Sequence, residues 1–207
     1  LTLARGDVDG TLIYAQRALE QLPAEDHIRR GQIAGLQGLA YWALGSLEAA
    51  QQAMSKAGDL TQKAGTFLDT IPGTFVVADI QTARGQLREA AKTYDRALTA
   101  VAEHKGHTPI GLENIYAGLA DLYREWGDLA SASKALAKSE TFGTQFEDGV
   151  WRYRWHLAQA RLKIAQADLD GAIDQLNKAD KLSFLNPMPE GKLVPALKSR
   201  VWLLQGR

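Results

Sequence analysis

The chain contains no cysteine, which excludes disulfides and thiolate metal sites. Its histidines, His27, His104, His107 and His156, show no ligand spacing, so no metal or other cofactor is expected. Net charge is also missing, since 24 Lys+Arg face 24 Asp+Glu. A chain so balanced lacks the basic footprint of an independent nucleic-acid binder. No apolar run approaches the roughly 20 residues of a membrane span, and no charged-then-apolar leader opens the sequence. A cytoplasmic setting without a membrane partner is expected. There is no Gly-x-x-x-x-Gly-Lys-Ser/Thr phosphate loop, so ATP chemistry is not assigned to these residues. No Ser/His/Asp set with a nucleophile turn appears either, and the expectation is that the chain is not an enzyme.

What is present is repetition. Gly127-Asp128-Leu129 has near-copies at Gly6-Asp7-Val8, Gly45-Ser46-Leu47, Gly85-Gln86-Leu87 and Ala167-Asp168-Leu169, with a final Gly206-Arg207; the successive intervals are 39, 40, 42, 40 and 39 residues. A period in this range signals a helical solenoid. Seven positions before each turn stands a small residue, namely Gly38, Ala78, Ala120, Ala160 or Ser199. Five after it stand Thr11, Ala50, Ala90, Ala132 and Ala172, and twelve after it Ala18, Ala57, Ala97, Ser139 and Ala179. Nine after it, in four copies, comes a bulkier group, Met54, Tyr94, Leu136 or Leu176. Small residues at helical spacing on both sides of a breaker predict two antiparallel helices in close approach.

The spacing therefore predicts helices over Asp9–Gln21, Glu25–Leu44, Leu47–Lys63, Thr74–Arg84, Leu87–His104, Ile110–Trp126, Leu129–Thr141, Glu147–Gln166, Leu169–Leu182 and Pro189–Gln205, after a stub at Leu1–Arg5. Pro72-Gly73 reads as the entry to the third pair, Thr108-Pro109 as an N-cap and first turn, Gly143 as a breaker, and Asn186-Pro187 as the cap of the last helix. No segment alternates with period two, so no sheet is expected. The fold class is all-α, a superhelical solenoid forming one repeat domain over residues 1–207. Starting on Leu1 and stopping on a repeat glycine, the chain reads as a piece of a larger multidomain protein. Its last helix carries Ala196, Leu197, Val201, Trp202 and Leu204, so an apolar side is expected to lie uncovered and to allow self-association.

The small-residue, glycine, alanine and bulky-residue pattern resembles the tetratricopeptide repeat (TPR). The longer interval and the wording Gly118-Leu119-Ala120-Asp121-Leu122-Tyr123-Arg124-Glu125-Trp126-Gly127-Asp128-Leu129 are similar to the repeat region of MalT-type regulators of the LuxR class, as is Gly85-Gln86-Leu87-Arg88-Glu89-Ala90-Ala91. The resemblance implies a non-catalytic sensor and interaction arm in a bacterial transcriptional regulator, with DNA contacted only through a domain absent from this chain. A TPR protein-interaction scaffold with no transcriptional role is the alternative.

Stacked hairpins line a concave face with their first helices. Inward positions of the resembled repeat fall on Gln32, Trp42, Phe75, Asp79, Asn114, Asp121, Arg124, Glu125, Arg154, Arg161 and Arg200. Arginines, carboxylates and two aromatic plates could hold a small-molecule inducer or a regulatory protein or peptide. The competing reading is that Asp121, Arg124, Arg154 and Arg161 only pair across adjacent helices. Trp151 and Trp155, four apart on one helical face, read as packing between repeats or, more sharply, as a nucleic-acid stacking surface. Gly6-Asp7-Val8-Asp9-Gly10 and Asp168-Leu169-Asp170-Gly171 superficially resemble calcium loops but lack the closing Glu, and read as turn and N-cap residues.

Overall fold

A computed structural model of the chain describes residues 6–65, 71–103, 110–145, 149–182 and 193–206. Among these residues every regular element is helical: α1 Val8–Gln21, α2 His27–Ala43, α3 Leu47–Lys63, α4 Ile71–Ala83, α5 Leu87–Glu103, α6 Leu112–Glu125, α7 Leu129–Gly143, α8 Gly149–Ala165, α9 Leu169–Asp180 and α10 Leu193–Leu204. They fall into two compact units, α1–α5 and α6–α10, and each unit is a run of helical hairpins stacked on one another. The expected stub at Leu1–Arg5 and the proposed caps at Thr108-Pro109 and Asn186-Pro187 lie outside the described residues.

One backbone turn recurs in the described hairpins, and in some of them an aspartate caps the helix that follows. After α6 the chain passes through Gly127 at φ 77, and the amide of Asp128 donates back to the Tyr123 carbonyl at 2.9 Å, closing the last helical turn. Asp128 then caps α7, its carboxylate accepting from the Ser131 amide at 2.9 Å. Asp7 and Asp168 do the same for α1 and α9, each at 2.9 Å, so the two calcium-like stretches are helix caps. Ala167 holds the glycine's place at φ 62, a left-handed conformation that disfavours a Cβ.

Small residues then set how closely the pairs approach. A Cβ placed on Gly38 of α2 would meet Met54 Cγ of α3 at 2.8 Å, so the bulky side chain nine after the turn fills the space that the small residue leaves. Ala78 with Tyr94, Ala120 with Leu136, and Ala160 with Leu176 repeat this pairing, and all six residues are buried. In the first unit the core gathers Trp42, Ala50, Met54, Val76 and Ile80. In the second, Tyr153, Leu157, Ala160, Ala172, Leu176 and Ala179 are joined by Val194 and Val201 of α10. On the other side of α10 Trp202, Leu203 and Leu204 are exposed, as the apolar pattern of that helix implied.

Several boundaries depart from expectation. Pro72 and Gly73 lie within the first turn of α4, not before it, because a proline lacks only an amide that first-turn residues leave unbonded anyway. Helix α6 begins at Leu112 behind Gly111 at φ 105, two residues later than proposed. Gly143 does not break α7 but is its buried last residue. A Cβ there would fall inside the Trp151 indole, so this glycine is required for space and not for a turn.

Candidate ligand face on α6 and α8

The first helices of successive hairpins, α6 and α8, pack side by side. Asp121 of α6 and Arg161 of α8 are one repeat interval apart, and Arg161 Nη1 donates to Asp121 Oδ2 at 2.5 Å. The other carboxylate oxygen takes Arg124 Nε at 3.3 Å, while Arg124 Nη2 donates to Glu125 Oε1 at 2.7 Å. Two guanidinium groups and two carboxylates thus form one neutral, half-buried network. Seven residues earlier on each helix, about 10 Å back along the axis, the same register places Asn114 and Arg154. Both are buried. Asp121 and Arg161 thus form one polar rung across the two helices, and Asn114 and Arg154 hold the corresponding positions two turns earlier, a second rung by register.

Behind Asn114 lies Glu113, a residue not singled out in the sequence, with Ser139 and Trp151. Glu113 is buried; its Oε1 accepts from Asn114 Nδ2 at 2.9 Å and its Oε2 from the Gly111 amide at 3.0 Å. The Glu113 carbonyl accepts from Ser139 Oγ of α7 at 2.7 Å, and that hydroxyl in turn accepts from Trp151 Nε1 of α8 at 3.1 Å. Ser139 occupies a register position held elsewhere by alanine. A hydroxyl at a buried alanine position was the one signal in the sequence for this relay. Trp155 Nε1 donates to the Leu136 carbonyl at 3.1 Å, so both tryptophans pack between α7 and α8. The nucleic-acid stacking alternative is not what this geometry offers.

The other expected groove residues fare differently. Trp42 is 6% exposed within the core of the first unit, so it is packing and not an aromatic plate. Phe75 is half-buried against the same cluster. Asp79 accepts from Tyr94 OH at 3.3 Å. Gln32 and Arg200 are exposed. Trp42, Phe75 and Asp79 belong to the unit of α1–α5, whereas Asn114, Asp121, Arg124, Arg154 and Arg161 belong to that of α6–α10.

On the face of α8 toward α9, His156 Nδ1 lies 2.8 Å from Gln175 Oε1, which as an acceptor fixes the proton on Nδ1. Burial holds this imidazole below the ordinary histidine range; Gln175 and Asp174 oppose the shift and Lys178 and Arg152 add to it. Among the described residues no group of three or more His, Cys, Asp and Glu could hold a metal ion. No helix of the described residues is long and apolar enough to cross a membrane.

The model of one family, the MalT-like TPR region, matches residues 1–207. The chain belongs to that family. Two solved structures similar to this MalT-like region are of a putative kinesin light chain from Podosopora anserina with nearly identical TPR-like repeats, one of them a variant form in which methionine replaces a glutamine. Both are 18% identical to it; the variant form covers 88% of this chain and 89% of its own at a TM-score of 0.56, the other 87% and 89% at 0.55. That likeness is one of fold. Among curated proteins, none matches the chain.

Proposed function

We propose that this MalT-like region is the non-catalytic sensor and interaction segment of a bacterial transcriptional regulator. It takes a small-molecule inducer or a regulatory protein on the α6/α8 face, needs no cofactor of its own, and leaves DNA to another domain. The observation that carries this reading is the pair of polar rungs, Asn114 with Arg154 and Asp121 with Arg161, set on neighbouring first helices. Oriented guanidinium and carboxylate groups there offer directed hydrogen bonds to a polar ligand. The family match supports the placement of such a segment in a regulator.

The test is transcription of a reporter by the full-length protein. Arg124→Ala should weaken the inducer response while circular dichroism stays native, and changing Arg124, Arg154 and Arg161 together should abolish it. An intact response in the triple variant would remove the ligand from this face. A second reading, a TPR scaffold without transcriptional role, draws on the mutual pairing of Asp121, Arg124, Glu125 and Arg161. A full-length protein without a helix-turn-helix would favour it.

A further inference from the structure

We propose that Trp151 is a positioning residue that sets the Asn114–Arg154 rung of the ligand face. The inference rests on the reading of that face given above, but its geometry is tested without any ligand.

Trp151 sits in the first turn of α8 and is 4% exposed, in contact with the last turn of α7. Its indole occupies the volume that any side chain at position 143 would need, so it fits only because that position is glycine. This contact fixes α8 against α7 in both rotation and translation, since a ring keyed into a helix cannot slide along it. Arg154, three residues on, is carried into place by the same helix. The indole also reaches the opposite member of the rung. Trp151 Nε1 donates to Ser139 Oγ, leaving the single hydroxyl hydrogen to the Glu113 carbonyl at 2.7 Å. The Glu113 carboxylate then holds Asn114 Nδ2 at 2.9 Å, which decides which end of the Asn114 amide faces away. Asn114 Oδ1 is buried and accepts no hydrogen bond from the described residues, so the amide is oriented from one side only, through Glu113. Trp151 thus controls Arg154 through the backbone of α8, and reaches Asn114 through two hydrogen bonds that end on the Glu113 main chain and a third to the carboxylate of that same residue. The Asp121–Arg161 rung, two turns away, is held by its own ion pair and does not depend on the relay.

The experiment is a comparison of the whole chain with Trp151→Phe, which keeps a ring but removes the N–H, and with Ser139→Ala, which cuts the relay from α7 and keeps the indole itself. In ¹⁵N spectra both variants should shift the Asn114 side-chain amide pair and speed its exchange with water, and Trp151→Phe should also shift Arg154 Nε–H. Arg161 Nε–H should stay in place in both. If Ser139→Ala lowers the melting temperature while the Asn114 signals do not move, the relay is packing alone and the inference fails. Should either variant not fold, Gly143→Ala in a chain that retains Ser139 and Trp151 displaces the indole directly; unmoved Asn114 signals there would equally overturn it. A face correctly positioned by Trp151 but indifferent to every inducer would instead count against the functional reading.

Discussion

The two units answer the same register position in opposite ways. Asp79 in α4 and Asp121 in α6 each directly follow the small residue of their repeat, and each has the bulky position of its own hairpin fifteen residues on. In the first unit that position is Tyr94, whose hydroxyl donates to Asp79. In the second it is Leu136, which offers no donor, and Asp121 pairs with Arg161 of the next first helix instead. Trp42 and Arg124 make the same contrast, since both stand four residues after the small one. The tryptophan is absorbed by the core of its unit, while the arginine stays half-buried in an ion-pair network. A repeat register fixes where a side chain starts. Its chemistry decides whether the site closes on its own hairpin or turns outward to a neighbour or ligand.

The largest expected effect separates the units by sign. Gly143→Ala drives a methyl group into the Trp151 indole and should destabilise the second unit by about 3 kcal/mol. Gly58→Ala, in α3 with open space around it, should stabilise the first by about 0.5–1 kcal/mol through helix propensity. Melting curves read both, and equal signs would show that the indole relocates freely.

The next test trades the two arrangements. Tyr94→Phe removes the donor to Asp79 and should cost about 1 kcal/mol in urea unfolding, the usual worth of such a bond. Asp121→Asn leaves Arg161 and Arg124 without their shared carboxylate and should cost a similar amount, about 1 kcal/mol, for a half-exposed ion pair. Only the second loss should shrink at high salt. A salt-independent loss would mean that Asp121 acts as a hydrogen-bond acceptor alone.

Ala167→Gly relieves the one left-handed turn residue among the described residues that carries a side chain, and should raise stability by about 1 kcal/mol. No gain in melting temperature would show that the turn distributes the strain.

The smallest effect is a pH dependence that arises at His156 in the second unit. Because burial lowers the folded pKa of His156, the folded state favours the neutral ring. Its contribution is therefore complete above the unfolded value near 6.5 and declines as pH falls through 6.5 toward the folded pKa. The melting temperature should drop between about pH 7.5 and 5.5, either side of that value, more in the native chain than in His156→Gln. Parallel curves would remove His156 as the cause.

The sequence by itself determined the period, the hairpin turns and the close contacts, because those depend on residue size and backbone preference over short stretches of chain. Glycine or its stand-in at the turn and a small residue seven before it each act locally, which is why Leu47–Lys63, behind Gly45, is a helix with the bounds its spacing predicts. The Arg161–Asp121 pairing was legible as one of two alternatives, since an interval of one repeat puts two charges side by side. Tertiary structure alone decided the rest. Trp42 turned inward to join a buried cluster with Met54, Val76 and Ile80 of other helices, and Gly143 proved to be a seat because a tryptophan eight residues away occupies the place of its side chain. Glu113 entered the candidate site through Ser139 and Trp151, two residues on other helices. Register along one helix specifies a direction for each side chain but carries no information about the shape and donors of whatever it meets.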